Sequence, residues 1–216
     1  MPNLTEYILI APPILLALAF HEYAHGWVAD KLGDPTARLA GRLTMNPLAH
    51  LDFIGTIMLF VVHLGWAKPV PVNPYNLRNP RRDTILVSLA GVTANMIMAA
   101  AWGLVIRLWN TGGLFEAYTL PQPVTVVVVY GVIINLSLAI FNLIPIPPLD
   151  GSRILGGLLP PRWEQQYRKL DHFGPVLVLV LVMGGSLLHI PVLWWIMSPF
   201  IRFFSIVLTG IDLSSL

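Results

Sequence analysis

IAPPILLALAFHEYAH, residues 10–25, is an apolar run that ends in two histidines and a glutamate. Ionisable groups are costly in such a setting: one charged side chain at the centre of a membrane helix costs about 2.5–3.5 kcal/mol on insertion scales. The whole chain supports the membrane setting. Of its 216 residues 56% are hydrophobic and 11% charged, against roughly 45–50% and about 25% in an average soluble domain. That length suits one compact bundle of about five or six spans at about 20 residues each plus loops, so a single membrane-embedded domain over 1–216 is expected. A formal charge of +2 and a pI near 9.1 matter less than where the basic residues fall. With no cysteine, disulfides and thiolate metal sites are excluded, and any metal is held by His, Asp or Glu. The opening MPNLTEYILI lacks the basic stretch of a secretory signal and is expected to be part of a retained span.

Five apolar stretches, 7–29, 84–108, 124–146, 173–189 and 191–208, are long enough or nearly long enough to cross a bilayer. A sixth, 53–66 (FIGTIMLFVVHLGW), is shorter and falls in the range of interfacial or re-entrant segments. The expected fold class is an all-α polytopic membrane protein with about five spanning helices and one re-entrant or interfacial segment. A short edge strand or hairpin is expected near 36–46 and 65–73. Pro12 and Pro13 place a start or a kink in the first helix. At about 1.5 Å per residue, Pro12 to Asp30 spans about 27 Å, close to the hydrocarbon thickness.

HEYAH fits H-E-x-x-H, in which His21 and His25 share one helix face and can hold a single zinc ion. Glu22, offset by one residue, is the expected general base for a water at the metal. A catalytic zinc site usually takes a third protein ligand. Asp150 is the candidate, placed after the fourth apolar run in FNLIPIPPLDGSRIL, where three prolines force an irregular chain. A plain helix N-cap ahead of SRILGGLL is the competing role for Asp150.

The direction of the spans separates these two roles. HEYAH and LDG each lie toward the C-terminal end of an apolar stretch, so they share a depth only if those two spans run the same way. The span 84–108 directly precedes 124–146 and must oppose it, which makes the first span and 84–108 opposed and leaves 53–66 unable to cross. Basic residues support this independently. With 53–66 returning to its own side, Lys31, Arg38, Arg42, Lys68, Arg78, Arg81, Arg82, Arg153, Arg162, Arg168 and Lys169 lie together, and only Arg107 lies opposite, with Arg202 inside the last span. A crossing 53–66 would move Lys31, Arg38 and Arg42 over to join Arg107, which the positive-inside rule disfavours. The expected topology therefore has the N-terminus outside, the C-terminus inside and the metal site near the cytoplasmic face.

Together these motifs give a chain that resembles the site-2 protease family of intramembrane zinc metalloproteases, in particular its small bacterial members. The resemblance covers most of residues 12–157 and rests on HEYAHGWVADKLGD, GWAKPVPVN, AGVTANMIMA and FNLIPIPPLDGSRIL in combination. It implies Zn2+ bound by His21, His25 and Asp150, with Glu22 as base, and a bacterial cytoplasmic membrane location. It implies further that Asn142, eight residues before the aspartate, takes part in catalysis, and that GWAKPVPVN is a strand bordering the membrane. The chain departs from the family pattern in lacking a spanning segment ahead of the H-E-x-x-H helix and any appended PDZ or nucleotide-binding domain.

The implied activity is peptide-bond hydrolysis in or near transmembrane segments of other membrane proteins. The expected partners are such a transmembrane protein or peptide and the lipid bilayer, not nucleic acid. Two other functions fit the motifs: a non-catalytic metal-binding or transport protein, against which Glu22 argues, and a zinc hydrolase of a lipid or small amphiphile. For Asn142 an interhelical hydrogen bond, with Asn135 on the same helix face, competes with an oxyanion-donor role. Residues 65–73, with Pro69 and Pro71, suit either an edge for β-addition or a rigid connector. Gly91 and Asn95 suit close helix packing, the favoured role, while the family resemblance also allows them a substrate-side contact. His50, His63, His172 and His189 are not expected to be ligands, although His50, which precedes the dipping segment, can approach the site to orient a ligand or substrate. Trp194 and Trp195 resemble an interfacial belt, and 160–172 suits a seat on anionic lipid.

Overall fold

The computed structural model describes residues 4–62, 65–110, 121–187 and 191–214. Their helices are α1 (Leu4–Lys31), α2 (Thr36–Leu39), α3 (Phe53–Val62), α4 (Pro80–Asn110), α5 (Gln122–Asn142), α6 (Asp150–Leu158), α7 (Pro161–Tyr167), α8 (Gly174–Leu187) and α9 (Val192–Thr209). Four of them, α1, α4, α5 and α9, are long and apolar enough to cross a membrane. In α8 the described helix has 14 residues, about 21 Å at the helical rise and short of a full crossing; the end of the 173–189 stretch lies outside the described residues.

Helix α1 starts at Leu4 and continues through Pro12 and Pro13, so the prolines do not mark its beginning. Membrane helices tolerate interior proline because neighbouring groups can satisfy the freed carbonyls. Helix α4 begins where proline suits the first turn, at Pro80, and Asp83 closes that turn by accepting the Asn79 N–H at 2.8 Å. Helix α9 ends on Gly210 in the left-handed conformation, φ 81°.

The core lies between α4, α5 and α9, where Ala99, Val132, Leu136 and Ile201 are buried. Small residues let the backbones approach: a Cβ on Gly131 of α5 would lie 2.6 Å from the Trp102 ring of α4. Apolar side chains such as Ile97, Leu104, Trp195 and Phe203 face outward, as lipid-facing surfaces require.

Helices α1 and α5 run parallel, with α4 antiparallel between them. Along α4, Val87 meets His25 and Asn95 meets His21 and Ala17 of α1, while Asn95 and Trp102 meet Asn135 and Gly131 of α5. The described helix α3 has ten residues, and an antiparallel bridge between Leu51 and Ala67 brings the two flanks of the segment together. Lys68 N–H adds a bond to the His50 carbonyl at 2.8 Å. The 53–66 segment thus returns to where it started.

Apart from that bridge, neither 36–46 nor 65–73 forms a strand. Residues 36–39 make α2 instead, because the Asp34 carboxylate accepts the Thr36 N–H at 3.1 Å and favours a helical turn after Pro35. Within 68–73 the two prolines donate nothing, and the N–H groups of Lys68, Val70 and Asn73 are used within the chain.

Candidate metal centre and active site

His21 and His25 stand one turn apart on α1, with their Nε2 atoms 2.9 Å apart. Each ring is fixed through its other nitrogen. His21 Nδ1 lies 2.6 Å from Asn95 Oδ1, and His25 Nδ1 lies 2.7 Å from the Val87 carbonyl. Asn95 is held in turn, because its amide N–H groups donate to the Ala17 carbonyl at 3.1 Å and to Asn135 Oδ1 at 3.0 Å. Asn135 donates to the Gly131 carbonyl at 2.8 Å. With its nitrogen so occupied, Asn95 presents oxygen to His21, and a carbonyl can only accept. Both imidazoles therefore carry a proton on Nδ1, which in the neutral ring leaves the Nε2 lone pair free, and the two Nε2 atoms face each other.

The third group is Asp150, whose Oδ2 lies 3.2 Å from each Nε2. It heads α6, but it is not the cap: Leu149 occupies that position and no side chain caps the helix. The buried Oδ2 has no hydrogen-bond partner, while its own neighbour Ser152 donates to the Leu149 carbonyl at 2.7 Å. Three acceptors thus converge with no donor among them in the neutral-imidazole form, an arrangement that a cation between them resolves. Their spacings of 2.9, 3.2 and 3.2 Å lie close to the roughly 3.3 Å edge of a tetrahedron around zinc with bonds of about 2.0–2.1 Å. Two imidazoles, one carboxylate and no thiolate suit a catalytic zinc with one open position.

Gly91 makes room for this cluster. A Cβ there would lie 2.5 Å from His25 Nε2 and 2.7 Å from His21 Cε1, so Gly91→Ala pushes both rings off their hydrogen-bond partners. Loss of ring orientation of this kind weakens metal binding about 10–100-fold. We expect Gly91→Ala to lose zinc on dialysis against a zinc buffer that keeps the wild type loaded. Gly103→Ala, on the same helix but against Leu208, should remain loaded under those conditions.

Glu22 points to the connector that follows α3. Its Oε2 accepts the Val70 N–H at 2.7 Å, the one amide proton between Pro69 and Pro71. The Val70 side chain is buried and faces Gly26, where a Cβ would be 3.0 Å from it. The connector is fastened on both sides of this contact. Upstream, Arg42 donates to the Lys68 carbonyl at 2.8 Å. Downstream, the wholly buried Asp34 accepts from Asn73 N–H at 2.6 Å and Asn76 Nδ2 at 2.9 Å, and also from the Thr36 hydroxyl. Burial pushes the Asp34 carboxyl up, but the donors from Thr36, Asn76 and Asn73 outweigh it and hold the group below the usual carboxylate range.

The sequence did not single out Asp34, and for Asn95 it favoured packing, with a substrate contact as the alternative, and gave it no role toward His21. The H-E-x-x-H motif could be read from one helix, whereas Asn95 meets His21 only through the register of two helices distant in sequence. His50 is buried and donates from Nε2 to the Thr44 carbonyl at 2.8 Å; it braces the loop and is not in the metal cluster. The Asn142 amide donates to the Leu138 carbonyl of its own helix at 2.9 Å, and it is Asn135 that makes the interhelical bond. His63 and His189 lie outside the described residues.

The fold and this cluster define a polytopic helical membrane protein with a candidate catalytic metal centre. Residues 111–183, which include Asn142 and Asp150, match the model of peptidase family M50. The chain is 37% identical to YwhC of Bacillus subtilis, covering 83% of this chain and 81% of that one. It is 30% identical to Rip2 of Mycobacterium tuberculosis, with 84% and 69% covered, and 28% identical to MJ0611 of Methanocaldococcus jannaschii, with 71% and 73% covered. All three are named as zinc metalloproteases. No solved structure matches the chain. The chain belongs to peptidase family M50, the site-2 protease family.

Proposed function

We propose that this protein is an intramembrane zinc metalloprotease, a single membrane-embedded domain that hydrolyses peptide bonds in or near transmembrane segments. The observation that carries this reading is the meeting of two Nδ1-protonated imidazoles and an otherwise unpartnered buried carboxylate beside Glu22. His21, His25 and Asp150 hold the ion, which when bound polarises the scissile carbonyl and acidifies a water. Glu22 takes the water proton and returns it to the leaving amine, its Oε2 steadied by the Val70 N–H. Asn142 uses one amide proton on Leu138; its second can serve the oxyanion.

The orientation proposed has the N-terminus outside, the C-terminus inside and the site near the cytoplasmic face of a bacterial cytoplasmic membrane. It is supported by parallel α1 and α5, by the bridge that closes 53–66 on itself and by the one-sided distribution of Lys and Arg. Purified protein in bilayers should cleave model transmembrane peptides, stop when a chelator strips zinc and resume when zinc returns. Turnover of lipids in place of peptides would transfer the site to a different substrate class.

A further inference from the structure

A cavity of about 740 Å³ lies between the connector, the start of α4 and the α6–α7 pair, a size typical of ligand pockets. Three of its wall residues adjoin the metal cluster or the contact that holds Glu22. Val87 carries the carbonyl that fixes His25. Ser152 is two residues beyond Asp150, and Val72 is two residues beyond the N–H that steadies Glu22. Val72 has a second property. Within residues 68–73 the N–H groups of Lys68, Val70 and Asn73 go to His50, Glu22 and Asp34, and 69 and 71 are prolines. The Val72 N–H alone in that stretch has no partner among the described residues. An extended chain pairing with the connector therefore meets its backbone donor at this wall and sets a residue in the cavity.

The charged groups on the wall differ in how they are used. Arg168 is paired with Glu164, its Nε and Nη2 at 2.9 and 2.7 Å from Oε1. Arg81 is bound to the Gly157 carbonyl at 2.8 Å and to the Leu159 carbonyl. Arg153 makes no hydrogen bond or ion pair among the described residues and keeps its planar fork of donors, the group best shaped for a carboxylate. Asp171 also lines the cavity, with no cation within ion-pair distance among the described residues, and opposes an incoming anion.

On the protease reading, we propose that this cavity is a substrate subsite in which Arg153 selects a carboxylate carried by an extended peptide near the scissile bond. The carboxylate comes from an Asp or Glu side chain or from a free C-terminus. A peptide is favoured over a lipid headgroup because Val72, with its unpaired amide, borders the same space as Val87 and Ser152, which adjoin the metal cluster.

The test uses the full-length, zinc-loaded protein in phosphatidylcholine bilayers. Its substrates are transmembrane peptides carrying Asp or Asn at successive positions around the cleavage site, each with a free or an amidated C-terminus. An Asp at one position, or the free terminus, should lower KM roughly three- to tenfold relative to its neutral counterpart. Arg153→Gln should bring that ratio close to one, Arg153→Lys should keep part of it, and Asp171→Asn should widen it. Equal KM values for every charged and neutral pair would overturn the subsite while leaving the protease intact, as would a preference that survives Arg153→Gln. A preference seen only in phosphatidylglycerol bilayers would assign Arg153 to lipid and also overturn it. Cleavage of none of the peptides would instead remove the protease reading on which the subsite rests.

Discussion

Glu22→Gln lowers peptide cleavage by about 10²–10⁴-fold, the usual contribution of a positioned general base, and leaves the zinc content at the wild-type level. The geometry separates these two outcomes. Glu22 touches the connector and is not in the candidate metal cluster, which consists of His21, His25 and Asp150, while Glu22 Oε2 accepts from Val70. A glutamine oxygen can still accept that N–H, so the connector stays fastened between its Lys68 and Asn73 contacts. Only the capacity to take a proton is lost. Glu22→Ala removes the acceptor as well, leaving the buried Val70 N–H unsatisfied at a cost of about 1–3 kcal/mol, so it should melt at a lower temperature than Glu22→Gln. Full activity in the Gln variant would reject the base assignment. Equal loss of zinc in both variants would mean that Glu22 shapes the metal site and does not merely act beside it.

Parts of this site follow from short-range rules and were legible in the sequence. His21 and His25 need only helical periodicity to converge, and the shortness of 53–66 already suggests that it does not cross. Asp150 required the further step of matching span directions, and parallel α1 and α5 agree with it. The contacts that hold these groups in place were not legible. Asn95 meets His21 because α4 passes α1 at one register, set by the close approach at Gly91, and no local pattern encodes that register. Asp34 lies in an ordinary turn sequence, LGDPTA, and its role comes from Asn73 and Asn76 folding back from far along the chain. The extent of α1 was obscured by Pro12 and Pro13, whose breaking tendency in water is weaker guidance within a membrane. The edge-strand expectation for 65–73 met a different obstacle. Its prolines leave few donors, and within 68–73 Glu22, Asp34 and His50 use all of those but the Val72 N–H.

Asp150→Ala tests the arrangement at its least redundant member. The two imidazoles are buttressed by Asn95 and the Val87 carbonyl whether or not a metal is present, so the variant retains a two-nitrogen site on α1. A single lost buttress weakens metal affinity about 10–100-fold, and losing a charged ligand outright must cost more. Zinc should therefore fall well below one ion per chain in the purified variant. A hundredfold weaker site also forfeits about 2.7 kcal/mol of metal-linked stabilisation at zinc concentrations that saturate the wild type but leave the variant mostly empty, so added zinc should raise the wild-type melting temperature much more than that of the variant. The metal-free forms should differ less, because Asp150 caps no helix and its buried Oδ2 has no hydrogen bond to lose. Undiminished zinc in Asp150→Ala would remove the third ligand and, with it, the need for HEYAH and LDG to share a depth in the membrane.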